Sequence, residues 1–561
     1  MRTRLEILEK LRQQPEVAVL IVGGGVNGIG LFRDLALQGV DVLLVDKGDF
    51  CSGASAGSSH MIHGGLRYLE NAEFRLVKEA LTERNLLLQN APHYVKPLPT
   101  TIPIFSWLSG TFNAPLKFLQ LRDKPGERGA LIIKVGLSLY DLFTRKQQGL
   151  PRHQFYSRAK SLEMRPKLNP AIVSTARYYD AWMPCPERIC LEMILDAEAA
   201  NPQAHALNYL GLTGGNGEVV TLQDEVSGDT FEIKPKIVVN AAGPWIDLAN
   251  QTMQHPTKFI GGTKGSHIII DHPELYAATL GHEMFFENSD GRIVLFFPFM
   301  DKVMAGTTDI RINDPEQARC TDDEVEYILN MVHKVFPDIK VDRSHIVFWF
   351  TGVRPLPYSD ASRTSQISRD HATHITEPDA QTKFPVYSLV GGKWTTFRAF
   401  SEQTADLILP RLNKSRRMRT NQLAIGGGKN YPKTDADREA WLQDTSQNIK
   451  LPKDRLEQLL NRYGTRATEI AQFLVAGPDQ ALQYHPDYTR REIEFLAMHE
   501  KVVHLDDLLL RRSLIAMLGQ ANQALVEELA AILADCLGRS VASEIERATR
   551  ILQDKHGVVL K

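Results

Sequence analysis

The segment of residues 17–46 constrains the fold of this chain more than any other. It opens with "VAVLIV", a continuously apolar run that is typical of a strand buried on both faces of a parallel sheet. "VNGIGLFRDLALQG" follows with its apolar residues at helical spacing, and "VDVLLVD" is a second buried strand. A strand, a helix and a strand in this order predict the first βαβ unit of an α/β domain.

The turn between the first strand and the helix carries the pattern GxGxxG at Gly23, Gly25 and Gly28. In a dinucleotide-binding turn the first glycine permits the tight bend, the second lets the backbone approach a pyrophosphate, and the third lets the helix pack on the strand. Free N–H groups at the helix start favour a diphosphate. Asp46, at the end of the second strand, stands where an acid accepts a ribose hydroxyl bond. The pattern therefore predicts a bound dinucleotide.

Two later segments favour FAD over NAD. "VVNAAGPWID" contains Gly243, and "LVGGKWTTFRAF" contains Gly392, Lys393 and Thr395. Each joins an apolar strand to small residues, past which a ligand can run. We therefore expect one dinucleotide domain assembled from the start, the middle and the end of the chain. That arrangement fits a large, permanently held FAD better than NAD, which is exchanged.

The length of 561 residues predicts more than one domain. Short β-branched and aromatic runs after the second dinucleotide segment predict a β-rich substrate domain inserted into the first fold. A basic, then glycine-rich, stretch at residues 412–432 marks a boundary, and amphipathic helices follow it. We expect an FAD-dependent oxidoreductase region at residues 15–411 and a helical C-terminal domain at residues 430–550.

Composition excludes several other classes of protein. Lysine and arginine number 65 against 67 acidic residues, so no basic surface indicates nucleic acid binding. The five cysteines form no CxxC pair, and the histidine pairs lack a nearby acidic or cysteine cluster, so we expect no metal site. The charged N-terminus lacks the apolar run of a signal peptide, and no window reaches the roughly 18 apolar residues of a spanning helix. These features predict a cytoplasmic protein.

The stretch "SSHMIHGGLRYLE", which begins at Ser58, combines bare backbone, titratable rings and a fixed positive charge. A loop that lies against a flat cofactor and reaches an anionic substrate needs all three. We expect Ser58 and Gly64 to contact the cofactor and His63 to be a candidate base. Arg67 and Tyr68 are expected to approach the substrate from the flavin side.

This stretch, together with "KGSHIII", "AGTTD", "TGVRPL", "SRDH" and "GGKWTTF", resembles the FAD-dependent glycerol-3-phosphate dehydrogenases. The resemblance runs from about residue 15 to residue 535, with "RYGTRATEI" and "LDDLLLRRSLIAML" in the helical tail. It implies the FAD-binding, Rossmann-like fold of the glycine/D-amino-acid oxidases, with a β-rich substrate domain and a helical C-terminal domain. It also implies glycerol 3-phosphate as substrate, quinone as electron acceptor and a place on the inner face of the membrane. We further expect a homodimer.

Oxidation of an alcohol on a phosphorylated substrate needs an anion clamp, a base and a hydride acceptor. Arg354 and Arg369 are the candidate clamp, because a guanidinium binds phosphate oxygens bidentately and keeps its charge. The resemblance implies arginines at these two places. An enzyme that oxidises 2-hydroxy acids or D-amino acids with oxygen would need only one arginine, for the substrate carboxylate. The presence of both arginines argues against that function.

The remaining candidate residues surround the reacting atoms. His63 and His267 are rival bases, and the sequence does not rank them. Lys393 is expected to place positive charge near the flavin pyrimidine. Asp309 is expected to orient an arginine or a substrate hydroxyl. A third function, in which FAD is only a scaffold and the helical domain binds a partner, conflicts with this set of residues.

Two departures from the family pattern are expected to fall near the substrate pocket. His60 stands where family members carry lysine, and "PCPERI" replaces the usual run after the Tyr-Asp pair.

Two apolar segments are expected either to touch a membrane surface or to be ordinary core. One is an N-terminal helix with Leu5, Leu8 and Leu11 on one side. The other, within residues 101–145, comprises Trp107, Phe112, Leu116, Phe118 and Leu119 with Lys117 and Arg122.

Overall fold

The computed structural model describes residues 3–65, 73–107, 129–144, 150–288, 292–359 and 369–561. Its strands are, in chain order, β1 (Glu16–Val22), β2 (Val42–Val45), β3 (Met61–Ile62), β4 (Lys96–Ile104), β5 (Gln154–Ser157), β6 (Ser174–Trp182), β7 (Ala204–Leu207), β8 (Leu210–Asn216), β9 (Val219–Asp224), β10 (Thr230–Asn240), β11 (Thr263–Ile270), β12 (Glu283–Glu287), β13 (Ile293–Phe299), β14 (Lys302–Gly306), β15 (Ile310–Arg311), β16 (Ile346–Arg354), β17 (His371–Thr376) and β18 (Val386–Gly391).

The helices of the same described residues lie mainly on the faces of two sheets. They are α1 (Arg4–Gln13), α2 (Val26–Leu37), α3 (Phe74–Asn90), α4 (Ala130–Thr144), α5 (Arg158–Met164), α6 (Pro186–Ala200), α7 (Ile246–Thr252), α8 (Pro273–Thr279), α9 (Asp322–Val335), α10 (Phe397–Arg411), α11 (Asp435–Ile449), α12 (Lys453–Tyr463), α13 (Ala467–Val475), α14 (Arg490–His499), α15 (Leu505–Asp507), α16 (Gln523–Leu537) and α17 (Val541–His556).

The first sheet has the strand order β17-β18-β10-β1-β2-β7, and β18, β10, β1, β2 and β7 run parallel. Their apolar runs are buried on both faces, as a parallel sheet covered by helices requires. Helix α2 packs against α6 and α10 on one face. The sheet therefore joins strands from the start, the middle and the end of the chain, which confirms the predicted Rossmann-like fold.

Helix α1 packs on the other side of this sheet. Ile7, Leu8 and Leu11 are buried in a core that includes the β8–β9 hairpin. Leu5, which we had placed on the same side as Leu8, is 70% exposed. The helix is therefore part of the core through Leu8 and Leu11, and Ile7 takes the place that Leu5 was expected to fill.

The second sheet has the order β15-β11-β14-β13-β12-β4-β6-β3, with β16 paired to β11 and β5 to β6. Its pairs are antiparallel except β4 with β12. The predicted β-rich segments form β11, β13, β14 and β16, but β3 to β6 come from an earlier part of the chain that we had not assigned to this sheet. Strand β4 contains Pro97, Pro99 and Pro103, which normally exclude a central strand. The prolines are tolerated because β4 pairs with β12 only at Thr100 and Thr101, so their missing N–H groups remove no bond of that pairing.

The helices from α11 to α17 form a domain that packs against the second sheet. Its core combines Leu456, Leu496 and Leu529 of these helices with Phe297 and Phe348 of the sheet. The last helix also contacts β16 directly, since His556 stacks on Phe348 with ring centroids 4.4 Å apart. The predicted helical C-terminal domain is confirmed.

The predicted membrane element lies partly outside the described residues, which leave out residues 108–128. Helix α4 follows that gap. It buries Ile133 and Leu137, while Leu131, Val135 and Leu142 are exposed, as is Trp107. In the part of the chain that the structure describes, no helix combines the length and the apolar character that crossing a bilayer requires.

The two sheets meet through a contact between backbones. The loop of residues 52–59 crosses β16 at Gly57 and Gly352. A Cβ atom added to Gly352 would lie 2.2 Å from the carbonyl oxygen of Gly57, and one added to Gly57 would lie 2.5 Å from the Cα of Gly352. Only glycine at both positions allows this approach.

We expect Gly352→Ala to destabilise the protein by about 1–3 kcal/mol, the usual cost of overpacking, because the new methyl group meets rigid backbone. The measurement is thermal unfolding of the variant beside Gly214→Ala, whose added Cβ meets its nearest neighbour, Thr221, only at 3.3 Å. Equal melting temperatures for the two variants would contradict the close contact.

Candidate active site

A cavity of about 1420 Å³ lies between the two sheets. It exceeds the roughly 300–1,000 Å³ of pockets for small ligands, so it has room for a dinucleotide and a substrate together. It reaches from the turn after β1 to the end of β16. Of the residues predicted from the sequence, those on its wall are Gly23, Gly25, Asp46, Ser58, His63, Gly243, His267, Asp309, Arg354, Arg369, Gly392, Lys393 and Thr395.

The glycine-rich turn lies at the first end of the cavity. Gly23 has a φ of +112°, and a Cβ there would lie 2.5 Å from the carbonyl oxygen of Ala241. Gly28 is not on the cavity wall: its added Cβ would lie 2.0 Å from the oxygen of Gly23, so it serves helix packing. Ser55, which we had not predicted, accepts a hydrogen bond of 2.9 Å from the N–H of Val26.

Asp46 is held by the backbone around it. One carboxylate oxygen accepts from the N–H of Gly24 at 2.6 Å, and the other accepts from the N–H of Gly48 at 2.8 Å. Burial raises the pKa of Asp46 to about 6, and the two backbone N–H groups oppose that shift. The carboxylate is therefore fixed at the end of β2, with its position set before any ligand binds.

The end of β18 closes the dinucleotide side of the cavity. Gly391 and Gly392 have φ values of +79° and +96°. Asn27 at the start of α2 donates to the oxygen of Gly391 at 3.2 Å, and a Cβ on Gly392 would lie 2.8 Å from the Asn27 side chain. Gly243, at the end of β10, has a φ of +58° and no atom within 4 Å of an added Cβ. This open backbone is what a cofactor that crosses three strand ends needs.

His63 is tied to the segment after β18. Its N–H donates to the Thr395 hydroxyl at 3.1 Å, and that hydroxyl donates to the His63 oxygen at 3.2 Å. Burial, with Lys393 as the next cause, lowers the pKa of His63 to about 4. The ring is therefore neutral at neutral pH, and its loop is held against the dinucleotide domain.

Gly64 does not lie where we had expected it. A Cβ there would lie 2.4 Å from both the Leu81 side chain and the Tyr140 hydroxyl, so its bare backbone gives room to α3 and α4, and it is not on the cavity wall. Its N–H donates to Asp180 at 3.2 Å. Asp180, which does line the cavity, also accepts from Arg84 at 2.9 Å. Arg67 and Tyr68 lie outside the described residues.

The two predicted arginines meet at one carboxylate. Arg354 donates to Asp309 at 3.1 Å, and the nearest nitrogen of Arg369 is 3.7 Å from the other Asp309 oxygen. Arg354 also donates to the Thr307 hydroxyl at 3.0 Å and to the Thr308 carbonyl oxygen at 3.1 Å. The guanidinium is thus fixed on the turn after β14.

A buried ion pair between Lys264 and Glu324 holds the turn after β14 on the side away from the cavity. Glu324 at the start of α9 accepts from the Thr308 hydroxyl at 2.5 Å, from Ser266 at 3.0 Å and from Lys264 at 2.7 Å. These contacts fill both oxygens of a carboxylate that is shielded from water. No sequence pattern indicated that Glu324 would lie beneath the arginines, because its capping box with Thr321 accounts for it as an ordinary helix start.

His267 lies beside Arg354 on one face of the second sheet. Gly265, two residues earlier on β11, leaves the space that the Arg354 guanidinium occupies: a Cβ there would lie 2.2 Å from it. The ring of His267 stacks on Phe350, and its Nε2 is 2.8 Å from the Ser59 hydroxyl. Its Nδ1 is buried, with no hydrogen-bond partner among the described residues. Burial and then Arg354 lower the pKa of His267 well below its usual range.

The two departures from the family pattern lie in different places. His60 does not line the cavity itself, but it is buried between Phe299 and Phe350, next to Ser59, whose hydroxyl bonds His267. Burial lowers the pKa of His60 to about 4. Residues 184–189 include the start of helix α6, and none of them lines the cavity. The expectation for residues 184–189 was therefore wrong, whereas His60 lies directly behind the wall that carries His267.

Several cavity residues had no signal in the sequence. Tyr178 and Asp180 come from β6 and Glu283 from β12, strands whose place in the second sheet we had not predicted. Glu283 accepts from the Thr100 hydroxyl at 2.6 Å, and burial raises its pKa to about 8. Acidic residues in unassigned strands resemble any solvent-facing residue until the tertiary structure buries them.

Glu283 gives a stability test. Its pKa in the fold, about 8, is above the ordinary 4.5, so the stabilisation from its protonated form is present below pH 4.5 and is lost as the pH rises to about 8. Glu283→Gln stays neutral, so its stability relative to the native protein should rise by about 1.4 kcal/mol per pH unit in this range and level off above pH 8. Thermal unfolding at a series of pH values measures this. The exposed Glu163→Gln is the control, and a gain that does not vary with pH would contradict the burial.

Comparison with known proteins agrees with this site. The family described as FAD dependent oxidoreductase matches residues 18–406, and the C-terminal domain of alpha-glycerophosphate oxidase matches residues 418–544. A glycerol-3-phosphate dehydrogenase of Synechocystis sp. is 33% identical over 534 residues, covering 90% of this chain and 91% of that protein. The aerobic glycerol-3-phosphate dehydrogenase of Escherichia coli is 29% identical over 511 residues, covering 90% and 95%.

Solved structures show the same fold. The glycerol-3-phosphate dehydrogenase of Bacillus halodurans, complexed with FAD, matches with a TM-score of 0.74 and 21% identity, covering 98% of this chain and 97% of that one. The L-alpha-glycerophosphate oxidase of Mycoplasma pneumoniae, also with FAD bound, has a TM-score of 0.53 and 18% identity over 73% of this chain and 98% of its own.

The cofactor is FAD, and the glycines with positive φ at three parallel strand ends, Gly23, Gly243 and Gly392, fit a cofactor that passes close to the backbone there. The chain belongs to the FAD-dependent oxidoreductase family, in the group that contains the glycerol-3-phosphate dehydrogenases.

Proposed function

We propose that this protein oxidises sn-glycerol 3-phosphate to dihydroxyacetone phosphate. One observation carries the proposal: Arg354 and Arg369 share Asp309 at the end of the cavity opposite the dinucleotide turn, beside the neutral, buried His267. The names of the relatives support the same substrate. The finer division of the chain, with units at residues 15–411 and 430–550, is part of this proposal.

The charge of the clamp favours a phosphate. Arg354 and Arg369 put two guanidinium groups at this end of the cavity, and Lys393 adds a third cation on its wall. A phosphate monoester carries about −1.5 to −2 near neutral pH and three acceptor oxygens, whereas a carboxylate carries −1 and two oxygens. Two guanidinium groups therefore match a phosphate better than the carboxylate of a 2-hydroxy acid or a D-amino acid. Asp309 keeps the two guanidinium groups together while no anion is bound.

The proton of the substrate hydroxyl goes to His267 in this proposal. His267 shares a sheet face with Arg354, so a substrate whose phosphate binds Arg354 brings its hydroxyl within reach of the ring. Burial, and after it Arg354, lowers the pKa of His267 in the free protein, and a phosphate bound to Arg354 offsets the second of these effects. FAD, when bound, supplies the hydride acceptor.

His63 is the second candidate for the base. It lies on the same cavity wall and faces Asp180, whose charge favours the protonated ring. Its backbone contact with Thr395 and its proximity to Lys393 support a role on the flavin side, where we assign it to positioning of the reacting groups.

The electron acceptor in this proposal is quinone, with oxygen as the alternative. A quinone dissolved in the bilayer requires the protein to lie on the inner face of the membrane, and the exposed apolar side chains of Trp107, Leu131, Val135 and Leu142 support such a contact. A homodimer remains part of the proposal.

Anaerobic bleaching of the flavin band near roughly 450 nm tests the substrate, since reduced flavin loses this absorption. We expect rapid bleaching by glycerol 3-phosphate and none by glycerol or a D-amino acid, because only the first has the phosphate for the clamp. Bleaching by the D-amino acid instead would assign the oxidase function. A yellow protein that glycerol 3-phosphate leaves unchanged would contradict the proposed substrate.

Arg354→Gln should lower kcat/KM for glycerol 3-phosphate by about 10- to 150-fold, the effect of losing one charge-assisted hydrogen bond pair. FAD content should stay unchanged, because Arg354 contacts the turn of residues 307–309 and lies away from the glycine-rich turn. Arg343→Gln, which breaks an exposed ion pair with Asp322, is the matched control. A loss of the same size in both variants would argue against the clamp.

His267→Asn should slow flavin reduction by about 10²–10⁴-fold, the usual contribution of a general base. Its residual rate should rise with pH, as hydroxide replaces the missing base. His63→Asn should change the rate less and without this pH dependence. Stopped-flow reduction under anaerobic conditions measures both, and the reverse pattern would assign the base to His63.

A further inference from the structure

We infer that the helical C-terminal domain takes part in FAD binding: Arg511 and Arg512 fix the turn of residues 46–51, at which the adenosine ribose is received. The inference rests on the proposed contact between Asp46 and that ribose. It assigns a role to a domain that contributes few residues to the cavity wall.

The turn of residues 46–51 is held at its inner side by the glycine-rich turn. The N–H of Cys51 donates to the oxygen of Gly24 at 2.8 Å, and Asp46 accepts from Gly24 and Gly48. Cys51 has a φ of +59°, a conformation that a residue with a side chain adopts only when its surroundings impose it. Contacts outside the turn must therefore maintain its shape.

Asp49 provides those contacts on the outer side. It is buried and accepts from Arg511 at 2.5 Å and from Arg512 at 2.7 and 2.9 Å. Asn208, next to the end of β7, donates a further bond of 2.8 Å. Both arginines belong to the π-helical turn of residues 508–512. Among the described residues, the two cations that neutralise the Asp49 carboxylate therefore both come from the C-terminal domain.

A buried carboxylate of this kind depends on its partners. Burial alone raises the pKa of Asp49, but the two guanidinium groups outweigh it and hold that pKa well below its usual range. Removing a partner leaves an uncompensated charge in a water-free site, which strongly destabilises that arrangement. We expect the surrounding backbone to relax so that water reaches the carboxylate. Here that backbone is the turn that carries Asp46 three residues earlier.

A second path joins the same turn to the C-terminal domain. The N–H of Tyr209 donates to the oxygen of Gly48 at 2.9 Å, and the Tyr209 hydroxyl donates to Asp507 at 2.6 Å. Arg511 binds Asp507 at 2.7 Å as well. The turn is therefore clamped through Gly48 and Asp49 by one charged cluster, while Asp46 faces the cavity.

The test measures how fast FAD leaves the full-length holoenzyme after dilution, followed by flavin fluorescence. We expect Arg511→Met and Arg512→Met to release FAD about tenfold faster or more, in line with the loss of one charge-assisted contact. With saturating FAD their kcat for glycerol 3-phosphate should equal that of the native protein, because the clamp and His267 are untouched. A folded variant whose kcat at saturating FAD falls together with its FAD retention would contradict the inference, because the effect would then extend beyond the turn.

Three further variants make the result decisive. Arg490→Met breaks a pair with Asp535 in the same domain but outside this cluster, so its release rate should stay within about twofold of native. Arg512→Lys keeps the charge and should restore most of the retention. Asp49→Asn keeps the size of the side chain and should release FAD as fast as the arginine variants. It replaces them if they fail to fold.

Asp46→Asn separates the inference from its premise. If Asp46→Asn releases FAD rapidly and the Arg511, Arg512 and Asp49 variants retain it at the native rate, the inference is overturned. If Asp46→Asn also retains FAD, the ribose contact is wrong and the inference fails with it. Neither result bears on substrate oxidation, which the bleaching experiment decides by itself.

Discussion

The parallel pairing of β10 between β1 and β18 is the interaction on which the whole site depends. Val22 pairs with Asn240, and Val238 pairs with Val386, so three distant parts of the chain end at one edge of the sheet. Parallel strands place their carboxyl ends together, and ligands of open α/β sheets bind there. The glycine-rich turn, Gly243 and Gly392 meet for this reason, and only there can one cofactor contact all three.

The second sheet completes the site by approaching this edge through glycine. Gly57 and Gly352 bring the two backbones into contact, and Gly265 leaves space for the guanidinium of Arg354 beside His267. Glu324 then fixes the turn that holds Arg354. In the proposed function, anion binding and proton transfer therefore take place on a rigid sheet face, an arrangement that keeps reacting groups in a constant geometry.

The helical C-terminal domain connects to both parts. Its apolar core packs on the second sheet, and its arginines neutralise Asp49 beneath the first. Charge pairs buried between domains add little net stability but are costly to break, so they fix relative position more than they stabilise. Such contacts explain how a domain that lies largely outside the cavity can affect what the cavity binds.

The sequence by itself determined the βαβ unit, the FAD fold and the helical tail, because glycine spacing and apolar periodicity are local properties of the chain. Most of the site residues that it predicted also line the cavity. It did not reveal β3 to β6, since the prolines of β4 exclude a central strand unless the extent of its pairing is known. It placed Gly64 and residues 184–189 wrongly, because which neighbour a bare backbone meets, and where a helix packs, depends on residues far away in the chain. Only the tertiary structure brought Asp309 between two arginines and Asp49 against Arg511 and Arg512, since ion pairs that span 45 to more than 460 residues leave no local pattern.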